Sequence, residues 1–171
     1  MFQSNIRARQ TTGIQGEFVK DGPIRSNDRM LKSTDPANNV IGRVVQQIAA
    51  EDHNVSADIG TVGICAGIIG IPKSYSSAGT TGDTLAATMT LPNNTEIECL
   101  LEGTIFAPVE NDGAGNAIGN ILFYDVSTGV ITSAPPETEA PDGSALIPNG
   151  RVANHSTAGG SLTEIYINIQ G

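Results

Sequence analysis

Side chains that could carry catalysis or bind a metal are few in this chain, and they are widely separated. Its two histidines, His53 and His155, lie far apart, and only His53 follows acidic residues, in the run Glu51-Asp52-His53. Adjacent residues of an extended chain point to opposite sides, so this run is a poor set of metal ligands. The sequence therefore favours a solvated turn over a metal site at this position.

The two cysteines also lack the spacing of a known site. Cys65 and Cys99 are 34 residues apart, with no C-x-x-C pair and no histidine at metal-ligand spacing. Arg7 and Arg9 are followed by polar residues instead of the apolar stretch of a secretory signal, so export by that route is not expected. In a reducing compartment, two buried thiols are the expected state of these cysteines.

Loops rich in glycine or carboxylates suggest three further chemistries, and none has the required pattern. Residues 113–119 (GAGNAIG) are similar to a dinucleotide-binding loop, but the third glycine comes one position late and a strand follows, so a surface loop is predicted. The acidic loop of residues 134–148 holds Glu137, Glu139 and Asp142 without EF-hand spacing. A pair of glycosidase acids stays open, although no pair stands out. We predict no catalytic residue, no cofactor and no metal ligand, and therefore a protein that is not an enzyme.

Charge is distributed unevenly along the 171 residues. The net charge is −9, yet the first 50 residues hold seven basic side chains against four acidic ones, and the rest hold two against fourteen. An acidic body repels phosphate groups, so nucleic acid is not an expected partner. The basic N-terminal segment either docks on an acidic surface, of a neighbouring copy or another partner, or is a solvated end. The longest apolar run, residues 62–71, is far shorter than the ~20 residues of a spanning helix, so no membrane association is expected.

Composition and periodicity predict an all-β fold. Gly, Pro, Ser, Thr and Asn supply 70 of the 171 residues, which favours turns and strands over helices. Apolar and polar residues alternate in residues 96–106 and again in residues 164–170, as in half-buried strands. Residues 121–125 and 130–132 flank a turn that ends in glycine, and they are predicted to form a hairpin. Short strands with frequent turns indicate a barrel or a sandwich.

The N-terminal part and the middle of the chain are less regular. The first 40 residues show neither a helical nor a strand period, apart from one short strand expected near residues 17–20. Residues 43–50 (RVVQQIAA) fit a strand or a short helix, and the glycine-rich residues 59–71 fit a strand that another backbone approaches closely. We therefore divide the chain into an extended, partly irregular basic arm, residues 1–45, and a β-sandwich or barrel body, residues 46–171.

Five stretches of sequence carry a resemblance to a known family. They are residues 12–18 (TGIQGEF), 39–43 (NVIGR), 101–106 (LEGTIF), 119–125 (GNILFYD) and 128–131 (TGVI). In this order, and spanning most of the chain, they resemble the structural cement, or capsid decoration, proteins of tailed bacteriophages. The motifs consist of glycines and strand residues and contain no chemical signature.

The resemblance implies a jelly-roll or barrel-like β-sandwich with an extended N-terminal arm, and it implies no catalysis. It also implies a homo-oligomer, a dimer or a trimer, that binds the outer surface of the capsid and stabilises contacts between major capsid protein subunits. Such a protein is synthesised in the host cytoplasm and resides in the virion. We expect arm residues to make the partner contacts, with these candidates: Phe2, Ile6, Arg7, Arg9 and Phe18.

Two other functions remain as alternatives. A phage fibre or tail-surface module could bind host glycans, and Tyr75, Tyr124 and Tyr166 are the aromatic residues that such a site could use. A small trimeric β hydrolase would need convergent carboxylates around a metal, and the isolated histidines argue against it.

Overall fold

The computed structural model describes residues 13–19, 22–48, 53–71, 89–111, 115–154 and 161–169. These residues form ten strands of one mixed sheet and, within those ranges, no α-helix, so the predicted all-β class is confirmed. A 3-10 turn spans Pro36–Asn38. The strands are β1 (Phe18–Val19), β2 (Arg25–Leu31), β3 (Val44–Gln47), β4 (Asn54–Ser56), β5 (Cys65–Ile69), β6 (Glu96–Glu110), β7 (Ile121–Asp125), β8 (Ile131–Ala134), β9 (Ser144–Val152) and β10 (Ser161–Asn168). Among the described residues, no helix has the length and hydropathy needed to cross a membrane.

The long strand β6 organises the sheet. Its 15 residues span about 50 Å at the usual rise of a strand. Buried residues alternate with partly exposed ones over most of its length, including Ile97, Ile105 and Val109 on the buried face. The alternation predicted for residues 96–106 is confirmed, and it continues to Glu110.

β6 belongs to two closed circuits of paired strands. In the N-terminal circuit, β6 pairs with β2, β2 with β4, β4 with β3, β3 with β5, and β5 again with β6. In the C-terminal circuit, β6 pairs with β10, β10 with β9, β9 with β7, β7 with β8, and β8 again with β6. The β2–β4 and β6–β8 pairs are parallel, which makes the sheet mixed. Closing a circuit gives each of its strands two neighbours, which protects the strand edges.

Two clusters of buried apolar side chains correspond to the two circuits. The N-terminal core draws on β2 to β6, and the C-terminal core draws mainly on β6 to β10. β3 and β5 contribute to both, because Val45 and Ile69 pack into the N-terminal core while Val44 and Ile68 pack into the C-terminal core. A strand buried on both faces has no polar face, which explains why β5 reads as an unbroken apolar run.

The contact between β5 and β6 requires glycine. Gly67 has a φ of +136°, and a Cβ placed on it would lie 2.7 Å from the Leu100 carbonyl oxygen. Side chains other than hydrogen would therefore push the two strands apart. This confirms the prediction that another backbone approaches residues 59–71 closely.

The predicted hairpin and last strand are also present. β7 and β8 pair in antiparallel fashion, and the turn between them closes with the Gly129 amide donating to the Asp125 carbonyl oxygen at 2.8 Å. In β10, Ile165 and Ile167 are fully buried against β6, as the alternation predicts. Ile169 lies just beyond the strand and packs partly buried against the C-terminal core.

Several elements differ from or refine the sequence-based expectations. β1 confirms the short strand expected near residues 17–20, and β3 shows that residues 43–50 begin as a strand. β2 has the polar sequence RSNDRML and was not expected, because most of its residues are at least partly exposed and leave no hydrophobic pattern. β9 begins at Ser144, inside the loop predicted for residues 134–148, and the exposed acidic turn ends before it.

Candidate functional site

The side chains considered for chemistry do not assemble into a site. His53 lies exposed in a turn before β4, in agreement with the predicted solvated turn, while Glu51, Asp52 and His155 fall outside the described residues. Among the residues that the structure describes, no group of three or more histidine, cysteine, aspartate or glutamate side chains could hold a metal ion.

Both cysteines are free and buried, as the sequence predicts. Burial raises the pKa of the Cys65 thiol to about 12, and a hydrogen bond with the Gly67 backbone only partly opposes this shift. Burial also raises the pKa of Cys99, against the opposing positive charge of Arg29. Because the thiolate is the nucleophilic form, neither cysteine is reactive at neutral pH. Both behave as small core residues.

The glycine-rich run of residues 113–119, described in its second half, has a structural role. Asn116 is fully buried, whereas Ala117 and Ile118 are exposed, so the predicted surface loop is wrong at Asn116 and confirmed at the two residues that follow. Its amide donates to the Val109 carbonyl oxygen (3.1 Å) and to Thr163 Oγ1 (3.2 Å), and its side-chain oxygen accepts from the Ser133 hydroxyl. These bonds satisfy a buried amide and connect β6, β8 and β10.

Residues 13–19 are fastened along β6, which fixes the point where the preceding N-terminal residues join the body. The Gly16 amide donates to the Phe106 carbonyl oxygen (2.7 Å), and the Phe106 amide donates to the Glu17 carbonyl oxygen (3.1 Å). β1 continues this antiparallel pairing through Phe18. From Gly16 onward, main-chain hydrogen bonds therefore hold this segment to β6.

Of the five candidate arm contacts, Phe18 is the one that the structure describes. Its ring is partly buried, packs against the C-terminal core and lies so close to Gly70 that a Cβ there would come within 2.5 Å of Phe18 Cζ. The side chain thus anchors β1 to its own chain, and its predicted contact with a partner stays a prediction. The other four candidates lie outside the described residues: Phe2, Ile6, Arg7 and Arg9.

A cleft of about 680 Å³ opens beside the fastened segment. Its lining includes the apolar side chain of Val40 and the charged side chains of Arg43 and Glu110. The Arg43 guanidinium donates to Asn38 Oδ1 and to the Thr128 carbonyl oxygen, each at 3.2 Å. Burial lowers the pKa of Arg43, and the negative charge of Glu110 opposes the shift. Internal partners thus already engage this cation, which makes the cleft a poor anion site.

A second surface feature is the loop of residues 59–64, called the apolar loop below. It exposes 72% of Val62 and 70% of Ile64, the two most exposed large apolar side chains among the described residues. The amide of Gly63, between them, donates to Gln46 Oε1 at 2.7 Å. The loop therefore carries two exposed apolar side chains, and the main chain between them is held by a hydrogen bond to a residue of β3.

Gln46 is the residue that fixes the apolar loop, and the sequence analysis did not single it out. Its side chain is almost completely buried, with Nε2 near the Val126 carbonyl oxygen (3.4 Å) and Oε1 accepting from the Tyr124 hydroxyl (3.3 Å). Burial raises the pKa of Tyr124 to about 12, so this hydroxyl remains a donor at neutral pH. The sequence did contain a signal. Val44 and Gln46 are two positions apart and therefore share one face of a strand, and the apolar Val44 marks that face as buried.

A sequence profile of the family described as "Structural cement protein (E217 gp24/Pam3 gp6)" matches residues 2–168. The chain belongs to this structural cement family. Membership confirms the expectation drawn from the five sequence stretches, and it makes the protein a structural cement protein of a phage capsid, a virion component and not an enzyme.

A solved structure supports the same fold. A chain of "The capsid of Myoviridae Phage XM1" is similar with a TM-score of 0.62 and 17% sequence identity, over 98% of this chain and 97% of that chain. At this identity the likeness concerns the fold. No curated protein gives a significant match.

The glycan-binding alternative loses one of its three aromatic residues. Tyr124 is only 1% exposed, so its ring cannot stack on a sugar at the surface. Tyr75 lies outside the described residues, and Tyr166 is partly exposed in β10. Family membership, which covers nearly the whole chain, favours the capsid function over both alternatives.

Proposed function

We propose that this cement protein binds the outer surface of an assembled capsid and stabilises the contacts between major capsid protein subunits. The observation that carries the proposal is the family match over residues 2–168. In this proposal the protein is made in the host cytoplasm, assembles as a dimer or trimer, and joins the shell after the shell has formed.

The N-terminal residues supply the proposed bridging arm. Residues 13–19 are fastened to β6, so an arm would leave the body from a fixed point. Twelve residues of extended chain would reach about 40 Å, far enough to cross to a neighbouring subunit. Arg7 and Arg9 give the first twelve residues a positive charge, whereas the remainder of the chain is acidic. The division into an arm, residues 1–45, and a body, residues 46–171, belongs to this proposal, with residues 1–12 as the bridging part of the arm.

The finer architecture is proposed in the same way. A jelly-roll or barrel-like β-sandwich is supported by the two closed circuits and by β3 and β5, which lie between two cores. Such a body would be stiff, because the strands of both circuits have neighbours on each side. A stiff body with a long arm suits a protein that must hold shell subunits together against pressure from within.

Co-sedimentation with emptied, expanded heads that lack the cement protein tests the function. We expect saturable binding at a fixed ratio to the major capsid protein, and size exclusion with light scattering should give a dimer or trimer mass. Absence of saturable binding by the full chain would contradict the cement function proposed here.

Deleting residues 1–12 tests the arm separately. We expect head binding to weaken by about tenfold or more, since the deletion removes Phe2, Ile6 and two arginines from the interface. The double variant Arg7→Ser/Arg9→Ser should weaken binding mainly at low salt. Lys73→Ser/Arg151→Ser, which removes the same charge from residues 46–171, is the matched control. Unchanged binding of the deleted chain would refute the role of the arm and leave the function standing.

A further inference from the structure

The apolar loop has properties of a binding surface that the arm does not account for. Val62 and Ile64 project from one loop, and beside them lies a cleft of about 390 Å³ whose lining includes Ile48 and Ile59. Among the described residues, none of those lining this cleft is charged. The chain has a net charge of −9, so an uncharged apolar surface beside a cleft differs from the acidic character of the chain as a whole.

The apolar loop is also held in one conformation. Gly63 donates to the buried Gln46, the Gly60 amide donates to the Val126 carbonyl oxygen (2.8 Å), and the amide of Gln47 donates to the Ile64 carbonyl oxygen (2.9 Å). A loop fixed in this way loses little conformational entropy on binding, so more of the contact energy appears as affinity. Aliphatic side chains on a rigid support are suited to anchor an interface.

We propose that the apolar loop is a direct contact of this protein with the capsid shell, docking Val62 and Ile64 on an uncharged apolar surface of the major capsid protein. This inference rests on the proposed function, and it adds a contact on the body to the contacts of the arm.

The small size of the surface and the family membership favour the shell over a second copy of this chain. Among the described residues, seven line the cleft, fewer than the roughly 20–30 residues per side of a stable independent interface. The apolar loop therefore works as one part of a larger interface, and the assembly that family membership establishes is the capsid. Repeated over a lattice, a small contact gains through multivalency.

The test compares two double variants of the full chain on emptied, expanded heads. Val62→Ser/Ile64→Ser removes the apolar anchor, and Ile118→Ser/Leu146→Ser removes two apolar side chains that are 67% and 51% exposed in the C-terminal circuit. We expect the first variant to bind at least about tenfold more weakly than the wild type, and the second to bind like it. Because all four side chains are exposed, thermal unfolding should show both variants folded.

Three readouts separate the outcomes. Equal binding by Val62→Ser/Ile64→Ser and the wild type overturns this inference and leaves the cement function intact, whereas failure of the wild type to bind overturns the function and the inference with it. A changed oligomeric mass of the variant, measured by light scattering, overturns the shell contact and assigns the loop to a copy–copy interface.

The affinity ratio between variant and wild type should stay constant from about 0.1 to 0.5 M salt, because an apolar contact is not screened. A ratio that approaches one at high salt would also overturn it.

Discussion

The two strand circuits that share β6 are built in different ways. The C-terminal circuit contains longer strands and regular alternation, and its core gathers sixteen of the described residues. The N-terminal circuit has β3 and β4 of only four and three residues, and its core gathers ten. Most of the apolar area that stabilises the protein therefore lies on the C-terminal side.

Polar side chains compensate for the short strands of the N-terminal circuit. Asn93 accepts from the Ser33 amide (3.0 Å) and from Asn39 Nδ2 (2.8 Å), and its own amide donates to the Ser33 carbonyl oxygen (2.7 Å). Asp58 accepts from the Thr34 amide at 2.9 Å. One region is thus held by ladders and apolar burial, while the other adds side-chain hydrogen bonds that replace missing ladder bonds.

The largest expected effects come from opening a cavity in each core. Leu122 in the C-terminal core and Leu31 in the N-terminal core are both completely buried. Each Leu→Ala change should lower the free energy of unfolding by about 3 kcal/mol, through lost transfer energy and the cavity left behind. The smaller N-terminal core offers fewer neighbours to fill the space, so we expect Leu31→Ala to lie at the higher end.

Urea denaturation followed by two signals measures this difference and tests whether the halves unfold together. Far-UV circular dichroism reports both circuits, whereas tyrosine fluorescence, measured in a Tyr75→Phe background, comes from Tyr124 and Tyr166 of the C-terminal circuit. Since β6 runs through both, we expect the two signals to coincide for the wild type and both variants. An early circular dichroism transition in Leu31→Ala, with tyrosine fluorescence unchanged, would show that the halves are independent.

A second, smaller effect should come from the Gln46–Tyr124 hydrogen bond, one of the contacts between the two circuits. Gln46 lies in β3 of the N-terminal circuit, and its Oε1 accepts from Tyr124 of the C-terminal circuit. Gln46→Leu keeps the volume but leaves the Gly63 amide and the Tyr124 hydroxyl without this acceptor. We expect a loss of about 2 kcal/mol in unfolding free energy, the cost of buried donors without partners. Gln47→Leu, next to it in the same strand and less buried, is the control and should stay near the wild type.

Binding of the Gln46→Leu variant to emptied heads tests whether Gln46 also positions the apolar loop. If Gln46 positions the apolar loop, Gln46→Leu should also weaken binding to emptied heads at a temperature where the variant is folded. Normal binding by a folded Gln46→Leu protein would contradict the positioning role and leave only its contribution to stability.

The difference between the circuits also explains what could be predicted from the sequence. Alternation in β6, the β7–β8 hairpin and β10 was sufficient to predict the C-terminal half, because each strand there has one buried face. β2 escaped prediction because its sequence is polar, and it is a strand only because β6 and β4 flank it. Local pattern carries no information on such tertiary pairing.

The apolar loop could not be predicted from local pattern either. Residues 59–71 read as one apolar stretch, and nothing in their periodicity separates the exposed Val62 and Ile64 from the buried β5 that follows. The distinction depends on Gln46, which lies 17 residues before Gly63 in the chain. Family resemblance, by contrast, was available from the sequence, because it depends on short glycine-bearing motifs, several of which lie in or beside β6 and β7.

The smallest expected effect concerns the polar support of the N-terminal circuit and its dependence on pH. Burial alone would raise the pKa of Asp58, but hydrogen bonds from the Asp35 backbone, the Ser56 hydroxyl and the Thr34 backbone outweigh it and lower the pKa. A carboxylate with a lowered pKa stabilises the fold above its unfolded-state pKa, near 4, and this stabilisation is lost as the pH falls through the lowered value. Asp58→Asn keeps one acceptor oxygen and loses the one that receives the Asp35 amide at 2.6 Å.

We therefore expect Asp58→Asn to cost about 1 kcal/mol at pH 7, a modest value because the side chain is partly exposed to solvent. The difference from the wild type should begin to shrink as the pH falls below about 4, where the carboxylate of the unfolded chain takes up a proton. It should vanish once the pH lies below the lowered pKa of the folded state. Asp142→Asn removes the same charge from the exposed acidic turn and should leave stability within about 0.5 kcal/mol at both pH values. Urea midpoints at pH 7 and pH 3 measure the four differences in stability, that is, each of the two variants against the wild type at each pH. A cost for Asp58→Asn that stays constant between the two pH values would show that the N-terminal circuit does not depend on this charge.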